Sequence, residues 1–286
     1  MIQKSTIQLL RIPFSFFLMP VFWFALSFVE KINVPNAALL FFIIHLLVYP
    51  ASNGYNSYMD RDTTSIGGIK NPLQPTNQLF VFTVIMDVAA ILLSLLISPL
   101  TAACIFIYIM FSRLYSYRQI RLKKYALPGY LIVILNQGAL IFFTVFNAVN
   151  NDTNAVLPWA GPICATLLIG GFYPITQIYQ HKEDRNDNVE TISMLLGKTG
   201  TFIFCGIIYA LAFLTLFIYF LSVNKLLLFF ILFIFFMPVA IYFTVWFLQV
   251  YRNAACADFK HTMRMNKIAS ACTNMAFITI LILNQL

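Results

Sequence analysis

The chain has 286 residues, 60% hydrophobic and 10% charged, with a mean hydropathy of +0.83 and a formal net charge of +8. Soluble domains carry nearly half apolar residues and about a quarter charged ones, so this balance excludes a water-soluble enzyme and predicts an all-α, polytopic membrane protein. The five cysteines (Cys104, Cys164, Cys205, Cys256, Cys272) lie far apart without CxxC spacing, which excludes a zinc or disulfide framework.

The first apolar run, near 7–29, is too long for a signal segment and lacks a small-residue cleavage site, so it reads as a spanning helix. Further runs follow near 35–53, 79–98, 99–115, 127–149, 158–178, 201–221, 225–250 and 268–285. Each approaches the ~20 residues that a ~30 Å hydrocarbon core requires. Backbone groups have no water to bond in lipid, so nine helices are expected, with Pro99 marking the junction of the third and fourth.

Charge placement gives the orientation. Lys4 and Arg11 accompany the first span, and Arg61 and Lys70 follow the second. Arg113, Arg118, Arg121, Lys123 and Lys124 follow the fourth; Lys182, Arg185 and Lys198 the sixth; Arg252, Lys260, Arg264 and Lys267 the eighth. Only Lys31 and Lys225 fall on the other side. By the positive-inside rule the N-terminus and these loops are cytoplasmic, in a multi-pass protein of the inner or plasma membrane. The net charge is thereby explained without nucleic acid as a partner.

Two of the cytoplasmic helix ends carry the same sentence. "YPASNGYNSYMDR" (49–61) is followed 124 positions later by "YPITQIYQHKEDR" (173–185). Tyr49, Pro50, Tyr55, Asp60 and Arg61 align without a gap to Tyr173, Pro174, Tyr179, Asp184 and Arg185. Ser52, Asn53 and Asn56 meet Thr176, Gln177 and Gln180. The windows lie four spans apart and run in one direction, so the expectation is a single domain over 1–286 built of two related bundles, roughly 1–125 and 126–286. Their motifs would face across a central cavity, and an inverted repeat would need an odd number of spans between them.

In a helix Asn53, Asn56 and Asp60 share a face, as do Gln177, Gln180 and Asp184. Each window then presents two amides and a carboxylate, with Asp62, Glu183 and Asp187 adding acid nearby. Polar groups at membrane depth mark cavities and function, and this oxygen-rich set suits Mg²⁺. A basic loop, "YSYRQIRLKKY" (115–125), lies on the same side. Arg113 and Arg118 are read as anchors to anionic lipid heads. His45 reads as a packed, hydrogen-bonded histidine or a cavity-lining one, and Asp87 as a buried partner or proton carrier. Asn136 and Gln137 read as interhelical glue or acceptor contacts, and Tyr49, Tyr55, Tyr173 and Tyr179 as cavity aromatics.

These residues resemble the UbiA-type intramembrane prenyltransferases. Asn56 and Asp60 in "NSYMDRDTT" match the first two positions of that family's NxxxDxxxD motif, and "KNP" (70–72) resembles its NRP stretch. "TISMLLG" (191–197) resembles the segment after the second motif, DxxxD, and sets Asp184 on its second Asp. "YSYRQIRLKK" is similar to the family's YSxxxLRLKR loop. The resemblance covers the whole chain and implies a UbiA-like fold. It also implies Mg²⁺-dependent transfer of a prenyl group from its diphosphate to an acceptor, expected to be aromatic, within the membrane.

Carried over residue by residue, Asn56, Asp60, Gln180 and Asp184 become the catalytic positions, and Asn56, Asp60, Asp62, Asp184 and Asp187 the metal ligands. Asn53, Gln177, Tyr55, Tyr179, Lys70, Arg121, Lys123 and Lys124 become substrate contacts. Two motif positions depart: Thr64 replaces the third acid of the first motif and Gln180 the first acid of the second. Asp62 and Asp187 can substitute from shifted positions. A site with fewer charges, a terpene cyclase, or a degenerate carrier or scaffold are the other readings of the same departures.

Overall fold

The computed structural model describes residues 1–152 and 154–285, as helices with two isolated bridges and no sheet among them. Helix α1 (Lys4–Leu10) leads through a 3₁₀ turn, Ile12–Phe17, into α2 (Met19–Leu26); α3 (Val34–Phe42) and α4 (Tyr49–Asp60) are one segment across a π turn, Ile43–Val48. Then come α5 (Asn77–Leu95) and α6 (Pro99–Ser116). Helices α7 (Ala126–Ile134) and α8 (Ile141–Val149) are likewise joined by a π turn, Leu135–Leu140. Helices α9 (Ala160–Gln177), α10 (His181–Asn186), α11 (Ile192–Ser222), α12 (Leu226–Arg252) and α13 (Phe259–Gln285) complete the chain.

Local chemistry sets these boundaries. Asn33, Ser98 and Thr191 accept the N–H three residues on and cap α3, α6 and α11. Pro35 and Pro99 stand in first turns, where their missing N–H costs nothing. Pro50 lies one turn into a continuing helix, and the π turn before it lets the Tyr49 N–H reach back to the Ile44 carbonyl. A widened turn is one way a helix carries the lost bond of a proline.

Among the described residues seven helices are long and apolar enough to cross a membrane, or eight if α1 and α2 with the turn between them form one span, so the expected count of nine is not confirmed. The remaining expected span falls on α9, an 18-residue helix whose prolines (Pro162, Pro174), glycines (Gly161, Gly170, Gly171) and Thr–Gln end interrupt its apolar run. The expected first span is also not continuous. Arg11 adopts a left-handed conformation (φ 48°), and the helical pair bends by 41°.

The core is aromatic. Phe24, Phe142 and Phe277 interlock, with Phe24 and Phe277 centroids 4.6 Å apart, while Phe202 meets Trp246 edge-on at 4.9 Å. Exposed Ile85, Leu92, Phe106, Ile207, Leu211, Ile234 and Ile241 turn outward, as surfaces facing lipid do. Helix α13 packs on both α12 and α2, so the last helix closes against the first. Gly138 permits the close approach of the α7–α8 segment to α9, since a Cβ there would meet the Thr166 Cα at 2.6 Å.

Arg113 corrects one sequence reading, and Asp87 takes one of the two roles read for it. The Arg113 guanidinium donates to the Asp87 carboxylate and to Thr83 Oγ1 (3.2 Å), with its carbon 3.9 Å from the Tyr55 ring centroid. It therefore joins α4, α5 and α6 and is not a lipid anchor; Asp87 is its structural partner. Arg118 is exposed. Its Nε and Nη2 donate to the Met59 and Asp60 carbonyls (2.5 and 3.2 Å), covering the C-terminal end of α4. His45 is fully buried beside Phe22, Phe41 and Tyr49, packed as expected but not hydrogen-bonded through its ring, since its aromatic neighbours leave both ring nitrogens without a partner.

Removing one member of a buried ion pair strands the other charge. Asp87→Asn is expected to destabilise the fold by on the order of 3 kcal/mol, whereas Asp87→Leu with Arg113→Leu should recover most of the loss. Thermal unfolding of the detergent-solubilised variants checks this. Equal damage from the single and double changes would refute the role assigned to the pair.

Candidate active site

The first window behaves as its spacing predicts. Asn53, Asn56 and Asp60 all lie on α4. The helix stops at Arg61 (φ 55°), whose N–H bonds the Ser57 carbonyl (3.0 Å), and the turn brings Thr64, Ile66 and Gly67 back onto the cavity that Asn56 and Asp60 face.

The second window does not. Pro174 lies in the last turn of α9, which ends at Gln177, and Asp184 sits on the separate short helix α10. Gln180 occupies the position before α10, its carbonyl accepting from the Asp184 N–H (2.9 Å). Gln177, Gln180 and Asp184 nonetheless line the same cavity as Asn56 and Asp60. The Gln180 amide donates to the Ser65 carbonyl (3.4 Å), tying one window to the loop of the other.

The basic loop straps the two halves together. Arg121, held in a left-handed conformation (φ 47°) and 8% exposed, donates to the carboxylates of Asp187 and, at 3.4 Å, Asp60. Lys123 donates to the other oxygen of Asp60. The cavity so enclosed has a volume of about 950 Å³ and is partly open to solvent. Five carboxylates (Asp60, Asp62, Glu183, Asp184, Asp187) line it against two cations, Arg11 and Lys123.

That excess of acid has electrostatic consequences. Burial, reinforced by Asp62, Asp60 and Glu183 and opposed by Lys123, pushes the Asp184 carboxyl up to about 7. Burial and the neighbouring Asp60 push Asp62 up to about 6. Burial also acts on Asp187, but there the Arg121 hydrogen bond and charge prevail and hold the carboxyl below its ordinary value. Asp62 and Asp184 have no ion-pair partner among the described residues.

A hard cation fits this donor set. No three acidic, histidine or cysteine side chains among the described residues converge into a ready-made metal cluster. Mg²⁺, however, is commonly held by one or two carboxylates with water and substrate phosphate oxygens. Two unpaired, half-buried carboxylates in one cavity meet that requirement.

Of the sequence-predicted substrate contacts, Gln177 and Tyr179 line the cavity with Lys123, and Arg121 stands behind its acids. Asn53 faces an adjoining cavity. Tyr55, Lys70 and Lys124 are not brought to the site. Tyr55 is committed to Arg113, Lys70 is exposed with its carbonyl accepting from Ser65, and Lys124 is exposed with its carbonyl accepting from the Glu190 N–H. Asn56 Oδ1 already accepts from Ser116 (2.8 Å).

Sequence reasoning missed Arg11 and Phe14 from the first segment and Met263 and Asn266 from α13, all on the cavity wall. A cation and an amide inside otherwise apolar runs were the available signals.

Two further cavities lie in the bundle, one of them sharing walls with the acidic one. The adjoining cavity, about 570 Å³, is lined by Ser52, Asn53, Ser112, Asn136 and Gln137, without a carboxylate. It shares Arg11, Asn56, Tyr115 and Tyr173 with the acidic cavity. The tyrosines bond each other, hydroxyl to hydroxyl, at 2.5 Å. An apolar cavity of about 550 Å³ lies between α2, α9, α12 and α13, with Phe24, Phe172, Phe236 and Phe277 on its walls.

Known proteins share this fold. The chain is similar in structure to a UbiA homologue from Archaeoglobus fulgidus, solved with GPP and Mg²⁺. The TM-score is 0.70 at 14% identity, covering 97% of this chain and 99% of that one. The same homologue bound to DMAPP and Mg²⁺ gives a TM-score of 0.71 over the same shares. A UbiA homologue from Aeropyrum pernix K1 gives 0.70 at 16% identity, covering 96% and 99%. No curated protein sequence matches the chain. The family model for the UbiA prenyltransferases matches residues 17–268, and on that extent the chain belongs to the UbiA prenyltransferase family.

Proposed function

We propose that this protein transfers a prenyl group from a prenyl diphosphate to an aromatic acceptor inside the membrane, with Mg²⁺. The observation that carries the reading is the single acidic cavity built from both windows, with two carboxylates lacking a cation, set against an apolar cavity suited to an isoprenoid tail. The structures of the Archaeoglobus fulgidus homologue with GPP or DMAPP and Mg²⁺ support it by analogy of fold.

Asp62 and Asp184 would hold the ion together with diphosphate oxygens, and Asp60 stays in place through Lys123 and Arg121. When bound, Mg²⁺ supplies positive charge that neutralises the leaving diphosphate. Arg11 and Lys123 add cationic donors to the same oxygens. As the allylic C–O bond breaks, the π faces of Tyr115 and Tyr173 stabilise the developing cation, and the apolar walls keep water from quenching it. The acceptor, hydrogen-bonded to the amides and hydroxyls of the adjoining cavity, attacks through a ring carbon. A C–C bond forms and the acceptor loses a proton.

The same reading places the strap of Arg121 and Lys123, and with it the acidic cavity, on the cytoplasmic side. Cysteine tags between Arg118 and Lys124 should then resist an impermeant reagent added outside intact cells, and tags beside Asp152 should react. The opposite pattern would reverse the orientation inferred from charge.

Asp184→Asn and Asp62→Asn should each lower turnover on the order of 100-fold, and chelation of Mg²⁺ should abolish it. The assay supplies prenyl diphosphates of several lengths with a panel of aromatic acceptors and reads products by mass spectrometry. Product formed from the diphosphate alone would replace transfer by cyclisation. Undiminished activity in Asp184→Asn would remove metal-assisted ionisation at this cavity.

A further inference from the structure

We infer that Asn266, on the last helix, is a diphosphate-binding residue of this chain, so that α13 completes the polar head of the site. The inference rests on the reading of the acidic cavity as the prenyl diphosphate site. Asn266 lines that cavity beside Met263, is 0% exposed, and neither its amide nitrogen nor its amide oxygen has a hydrogen-bond partner. A buried amide without partners is a standing cost that packing alone does not explain. Two other orphan groups lie on the same wall, Gln177 Oε1 and Arg11 Nε.

Together these atoms describe the occupant. Asn266 Nδ2 and Arg11 Nε are donors that call for anionic oxygens. Asn266 Oδ1 and Gln177 Oε1 are acceptors that call for O–H groups. A hydrated cation with a diphosphate offers both kinds; an apolar ligand or a bare cation offers only one or none.

The helix face supports the same placement. One, two and three turns on from Asn266, the side chains of Ser270, Thr273 and Phe277 line the apolar cavity. Asn266 therefore stands where the wall of α13 passes from the carboxylate cavity to the apolar one, at the junction of polar head and isoprenoid tail. Asn274, on the same helix, provides the contrast. It is buried too and its Oδ1 likewise lacks a partner, but its Nδ2 donates to the Phe16 carbonyl (3.3 Å), and it lines neither cavity.

The test measures binding, separately from turnover. Full-length protein in detergent is titrated with geranyl thiolodiphosphate, a non-hydrolysable analogue, in the presence of Mg²⁺, by calorimetry and by the ligand-induced rise in Tm. Asn266→Leu should bind about 10- to 100-fold more weakly. Without ligand its Tm should be equal to or above that of the parent, because an apolar isostere replaces an unpartnered amide. Asn266→Ser should bind with intermediate affinity and Asn274→Leu with parental affinity. Parental affinity in Asn266→Leu, an equal loss in Asn274→Leu, or unfolding of both Asn266 variants without ligand would each overturn the inference. Absence of binding by the parent protein would instead overturn the reading of the cavity, and the inference with it.

Discussion

Everything in this molecule turns on negative charge held out of water. Five carboxylates share one cavity at the membrane end of the bundle with only two cations on its lining. Burial first, and the neighbouring carboxylates second, push Asp62 and Asp184 toward neutrality. The fold accepts this because the strap from α6 to α7 discharges part of the repulsion, through Arg121 and Lys123 on Asp60 and Asp187. What remains uncompensated is a demand for a cation, and a ligand that brings one meets it.

The strap also explains why two halves act as one site. Asp60 ends α4 and Asp187 follows α10, and neither element packs extensively on the other. Arg121 touches both carboxylates, and the Gln180–Ser65 hydrogen bond adds a second crossing. Both crossings are made by side chains whose geometry is fixed by unusual backbone or by a loop. Arg121 adopts a left-handed backbone conformation, and its guanidinium reaches both Asp60 and Asp187. A duplicated helical window is thus converted into a single concave surface by contacts that are not themselves duplicated.

Much of this was legible in the sequence. Composition and charge placement gave an all-helical membrane protein, and the paired windows named Asp60, Asp184, Asn56 and Gln180 as neighbours in one cavity. The illegible part has identifiable causes. Whether a side chain near a motif faces the cavity depends on helix rotation, which is why Tyr55 turned out to cover Arg113. Long-range placement hid Asn266 and Arg11, which come from the last and first helical segments and reach the site only because α13 closes against α2. The span count is unconfirmed at α9, where prolines and glycines interrupt the apolar run.

The two prolines that head the windows show how one sequence feature yields two structures. Pro50 and Pro174 occupy equivalent positions, and each removes an N–H from its helix. Before Pro50 a π turn absorbs the lost bond, so α4 runs on as one rigid element from Tyr49 to Asp60. No such turn precedes Pro174. There Gly170 and Gly171 let α9 pack tightly against Tyr130 and Tyr209, and the helix ends at Gln177. The second carboxylate is therefore carried on a separate short helix, fixed by a hydrogen bond from the Val189 N–H to the Asp184 carbonyl and by His181 bonding Ser193. One acid therefore sits on the long helix of the bundle and the other on a short helix outside it, and the Gln180–Ser65 hydrogen bond and the Arg121 strap are what hold the two in one cavity.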